Sequence, residues 1–67
     1  MYSSREVLAA LRRAGFEQVS QRGSHVKLRK GAGRTVIVPD HHEIARGTLR
    51  SILRQAGITP DEFDRLV

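Results

Sequence analysis

Gly23-Ser24-His25-Val26-Lys27-Leu28-Arg29-Lys30 decides how this chain is read, because a Gly-Ser turn opens there directly into a run of alternating charged and apolar residues. A strand sends successive side chains to opposite faces, so the pattern predicts a strand with His25, Lys27 and Arg29 on one face and Val26 and Leu28 on the other. The apolar face must be covered and the charged face left in water. That wet face sets an imidazole beside two fixed cations. Cations hold phosphate oxygens, and histidine is the side chain that exchanges protons near neutrality, so the strip suits a phosphodiester. Without that chemistry the same alternation marks only the solvated side of a sheet, with His25 an ordinary surface residue.

Working outward, Phe16 to Gln21 reads as a preceding strand of imperfect alternation, and Arg22-Gly23-Ser24 as the tight turn that makes a hairpin with His25 at its mouth. Gly31-Ala32-Gly33-Arg34 is a second, basic turn. Thr35-Val36-Ile37-Val38 is β-branched throughout, and Pro39, which cannot donate to a ladder, stops it. Three short strands joined by short turns imply an antiparallel meander.

The flanks read as helices. Ser3-Ser4-Arg5-Glu6 has the form of a capping box, Val7, Leu8, Leu11 and Ala14 recur at helical spacing, and Gly15 closes the helix. This helix reads as scaffold, with Arg12 and Arg13 as secondary candidates for RNA contact. Thr48 is the expected N-cap of a second helix whose stripe is Leu49, Ile52, Leu53 and Ala56 and whose end is Gly57; Arg50 and Arg54 fall on its solvated side. Thr59-Pro60-Asp61-Glu62 begins a short last helix that contributes Phe63, Leu66 and Val67. The expected fold is α+β: a three-stranded antiparallel sheet with helices on one face, in the α-β-β-β-α order of double-stranded-RNA-binding domains, plus a short C-terminal helix. The basic face of the sheet stays free.

A chain of 67 residues has room for one domain, expected to span residues 1–67, with a small aliphatic core and only three aromatic side chains. It has no cysteine, which excludes disulfides and thiolate zinc sites. Twelve Lys and Arg, ten of them Arg, stand against seven Asp and Glu for a net charge of +5. Arg matches phosphate bidentately, so the excess points to a polyanionic partner, nucleic acid above all. No apolar run is long enough to cross a bilayer and no signal peptide is evident, so a cytoplasmic location is expected. Asp40, His41, His42 and Glu43 gather ligand-type side chains, but adjacent loop histidines point apart and no further ligand has a diagnostic spacing, so no metal or other cofactor is expected. His41 or His42 is better suited to touching substrate.

Gly15-Phe16, Gln21-Arg22-Gly23-Ser24-His25, the strand ending at Val38-Pro39, and Gly47-Thr48-Leu49-Arg50-Ser51-Ile52-Leu53-Arg54-Gln55-Ala56-Gly57-Ile58 together resemble the HicA toxins, the ribonuclease half of HicA–HicB toxin–antitoxin systems. The resemblance spans nearly the whole chain. It implies a double-stranded-RNA-binding-domain-like fold and a metal-independent mRNA interferase that arrests translation until a HicB-like antitoxin covers it. The partners it implies are single-stranded mRNA and that antitoxin, without membrane or DNA. The histidine of the family's Gly-Ser-His motif falls on His25, the catalytic candidate, and Lys27, Arg29, Arg22, Gly23 and Ser24 are the phosphate-binding candidates. Many members carry a second histidine directly afterwards, where this chain has Val26. The proton-transfer partner of His25 stays open between His41 and Lys27. Two other classes share the basic face: a non-catalytic RNA-binding module, and a structural partner for an acidic protein surface.

Overall fold

β1 (Glu17–Arg22), β2 (His25–Lys30) and β3 (Arg34–Pro39) form an antiparallel sheet in the order β1-β2-β3 in the computed structural model, which describes residues 1–67. Arg22 pairs with His25, leaving Gly23 and Ser24 as a two-residue hairpin loop. Gly23 has φ +58°, the left-handed value that a type II′ turn requires at its first central position. Three helices complete the fold: α1 (Ser4–Arg13), α2 (Arg46–Ala56) and α3 (Pro60–Leu66). None is long and apolar enough to cross a membrane.

All three helices lie on one side. Val26, Leu28, Val36 and Val38 of the sheet face Val7, Ala10 and Leu11 of α1, Ile52, Leu53 and Ala56 of α2, and Phe63 of α3; Phe16 and Ile44 complete one core of 13 buried side chains. Phe63 sets its ring edge-on to Tyr2 at 5.0 Å, the arrangement favoured by aromatic quadrupoles. Both expected capping boxes form, Ser3 with Glu6 and Thr59 with Glu62. The hydrogen bonds that Ser3 and Thr59 give them hold both carboxyls below the ordinary glutamate range.

Four sequence expectations shift. β1 runs from Glu17 to Arg22, so Phe16 lies outside the strand as a core residue and Arg22 belongs to the ladder, not the turn. The imperfect alternation has a cause: the register slips between Gln18 and Ser20, where Val19 bulges out and stays 48% exposed. α2 begins at Arg46 with Ala45 as N-cap and no side-chain cap bond, so Thr48 is not the cap. A tertiary contact overrides the preference for Thr: Ile44 is buried and bridges to Tyr2, its N–H donating to the Tyr2 carbonyl at 2.7 Å. The chain turns into the helix immediately after that anchor. Val67 ends the chain exposed and adds nothing to the core.

The two edges of the sheet differ. α2 packs along β3, where Gln55 Oε1 accepts the outward N–H of Ile37 at 3.1 Å. β1 overhangs at the other edge, and all six of its residues are exposed.

Candidate nucleic-acid interface

The β2 alternation carries through to side-chain placement. Val26 and Leu28 are buried under the helices, His25 and Arg29 are exposed, and Lys27 is half-buried, its stem flanked across the ladder by Ser20 and Ile37. Residues opposite one another in adjacent strands project to the same side with Cβ atoms about 5 Å apart. The free face therefore has three rows: Arg22–His25–Pro39, Ser20–Lys27–Ile37 and Glu17–Arg29–Thr35. Charge is unevenly spread over them. Arg29 stands opposite the Glu17 carboxylate, whereas Arg22, His25 and Lys27 have no acidic cross-strand neighbour, so the uncompensated positive field gathers at the hairpin end.

Access to that end is open. A Cβ built on Gly23 would meet nothing within 4 Å, so no other part of the protein crowds the turn. The turn is also tethered. The Ser24 carbonyl accepts from the Asp40 N–H at 2.6 Å, and Asp40 in turn takes the Ser4 hydroxyl on Oδ1 at 3.1 Å and lies 3.5 Å from Gln21 Nε2 through Oδ2. Asp40 thus ties the His25 hairpin to the start of α1. With a serine and an amide for partners its carboxylate is held, which preorganises the turn without cancelling the cations of the free face.

His41 and His42 sit elsewhere. They line an open groove of about 880 Å³ between α1 and residues 40–42, which none of His25, Lys27 and Arg29 lines. Asp40, His41, His42 and Glu43 form no cluster of three or more metal-type ligands. Of the secondary arginine candidates, Arg13 is committed to the fold, donating to the Leu66 carbonyl at the end of α3, while Arg12 donates to Gln18 Oε1 at 3.2 Å and borders the groove. Sequence reading missed Asp40 as a tether and the meeting of Arg5 and Arg12 with the two histidines. The i, i+3, i+7 spacing of Arg5, Leu8 and Arg12 marks one stripe of α1, but nothing local says that residues 40–42 come to lie beside it.

In class, this is an α+β domain of the double-stranded-RNA-binding-domain type, with its sheet face free and basic at one end. The family model described as the HicA toxin of bacterial toxin–antitoxin matches residues 4–58, and the chain belongs to that family. It is accordingly a toxin of the toxin–antitoxin type, of a family whose members are in general ribonucleases. No curated protein sequence matches it.

Proposed function

We propose that residues 1–67 act as a single HicA-like toxin domain, an mRNA endoribonuclease that works through His25 in the cytoplasm and is neutralised by a HicB-like antitoxin. The observation that carries this reading is the Arg22–His25–Lys27 constellation, an exposed imidazole between two cations on an uncovered sheet face. RNA brings its own nucleophile. The 2′-hydroxyl attacks the adjacent phosphorus, the bond to the 5′-oxygen breaks, and the products are a 2′,3′-cyclic phosphate and a free 5′-hydroxyl. The protein must take a proton from the 2′-oxygen or give one to the leaving 5′-oxygen, and the exposed His25 imidazole is the group assigned to do so; such a role is worth about 10²–10⁴-fold. Lys27 and Arg22 hold the non-bridging oxygens and offset the charge that grows on them, with Arg29 extending the grip along the strand. Gly23 and Ser24 admit the backbone to the hairpin mouth. An antitoxin that covered this face would stop access and, by binding only the folded chain, would stabilise it.

The test pairs wild type with His25→Ala, each freed of co-purified protein, on a long single-stranded RNA in excess EDTA. Cleavage by wild type alone is the expected result. Equal cleavage by both removes His25 from the mechanism, and binding without cleavage by either makes the chain an RNA-binding module.

A further inference from the structure

The groove beside α1 lies outside the His25 face, and its lining is unusual for so small a surface. Arg5 and Arg12 stand along one stripe of α1, about 10 Å apart by helical rise, and His41 and His42 line the same groove. Leu8 is the single apolar residue on the wall. The only carboxylate is Asp40, already engaged by Ser4 and close to Gln21. Arg12 is steadied by a neutral amide, Gln18, so its charge is held in place and left uncompensated. The volume of about 880 Å³ is open on one side and lies within the range of ligand sites, about 300–1,000 Å³.

Position gives the groove a substrate. Arg12 reaches Gln18 and Asp40 approaches Gln21, both on the helix side of β1, so the groove runs alongside β1 toward the hairpin turn. There the Asp40 N–H holds the Ser24 carbonyl, and Gly23 offers no side chain to bar the way. We propose that this groove takes the ribose-phosphate backbone of the RNA strand flanking the bond cleaved at His25. The strand crosses the Gly23-Ser24 turn from the free face to the helix side, and Arg5 and Arg12 each take a phosphate. This rests on the ribonuclease reading and adds a second contact surface to it.

The experiment measures salt-dependent binding of a short fluorescent single-stranded RNA to the full chain carrying His25→Ala, which keeps the probe intact. Each phosphate contact on a single strand contributes about 0.7 to the slope of log K against log salt. Arg5→Ala with Arg12→Ala should lower that slope by about 1.4 and weaken binding about 25-fold at about 0.1 M salt. Arg5→Ala alone, which keeps the Arg12–Gln18 bond, should lower it by about 0.7. Arg50→Ala with Arg54→Ala removes the same charge from the exposed side of α2 and should leave the slope unchanged. Cleavage by wild type with equal slopes in the groove and α2 variants overturns the groove and leaves the ribonuclease standing. Groove variants that keep RNA but lose an acidic protein partner make it a protein-docking surface and also overturn the proposal. Wild type that neither binds nor cuts RNA overturns both readings together.

Discussion

Asp40→Ala should destabilise the fold by about 1–2 kcal/mol, through one specific bond. Ser4 is the one buried polar residue, 6% exposed, and its hydroxyl donates to Asp40 Oδ1 at 3.1 Å. Truncating Asp40 strands that hydroxyl, at about 1–3 kcal/mol for a buried group. Asp40 itself is exposed and water partly replaces it, so the lower half of the range applies. The 3.5 Å approach of Gln21 adds little, and the backbone tether from Asp40 to Ser24 survives the substitution. A domain of this size loses about 4–8 °C of Tm per kcal/mol, so the expected fall is about 5–15 °C. Ser4→Ala removes the donor instead and frees the carboxylate to water, costing less than about 1 kcal/mol. The assay is a double-mutant cycle by urea and thermal unfolding. A coupling energy near 1 kcal/mol is expected, since two groups in direct contact do not add. If the two single effects sum to the double within about 0.3 kcal/mol, the bond contributes nothing in solution and Asp40 does not hold Ser4.

Leu28→Ala, at a fully buried position of the central strand, should cost about 2–5 kcal/mol, much of the whole stability of a domain this small, and urea unfolding would show the chain largely denatured at 37 °C. Gly57→Ala should cost at least about 1–2 kcal/mol: φ there is +71°, and a Cβ would stand 2.6 Å from Arg34 Cζ, displacing the guanidinium that donates to the Gln55 carbonyl. Its melting temperature should fall, and Gly57→Asn should recover part of the loss, because Asn tolerates the left-handed region. The capping boxes set an acid limb. Glu6 and Glu62 have folded-state values below the unfolded one of about 4.3, chiefly through the Ser3 and Thr59 hydrogen bonds. Their contribution is therefore complete above the unfolded value and lost as pH falls through the folded one. Unfolding followed from pH 7 downward should show stability dropping below about pH 4.5, and Glu6→Gln with Glu62→Gln should flatten that drop.

What could be read from the sequence was what is decided locally. Val26 and Leu28 turn inward and His25 and Arg29 outward because the strand period alone dictates it, and Ser3–Glu6 and Thr59–Glu62 close over three residues. Pairings between distant segments were not legible. The start of α2 is set by Ile44 meeting Tyr2, 42 positions away, against the local preference for Thr48. The bulge at Val19 showed in the sequence only as imperfect alternation, because its position depends on the register with β2. The candidate site divides along the same line. The His25–Lys27–Arg29 strip was visible as an alternation, while Arg22 as its cross-strand neighbour, the opposition of Glu17 to Arg29, and Asp40 as a tie all depend on register or tertiary contact.

The overhang of β1 sets how firmly Arg22 is held. A strand with no side chain in the core is kept in place by its ladder to β2 and by exposed side-chain bonds such as Arg12 to Gln18, so it belongs to the low-energy end of local opening. Its amides should exchange with deuterium well before those of β2 and β3, and a protease should find the chain there first. The stiffness of the face that carries His25 is thus shared between a buried central strand and an exposed edge. On the function proposed above, an RNA or antitoxin laid against β1 would supply the order which the core withholds, and slowed exchange along Glu17–Arg22 would become a direct reading of occupancy.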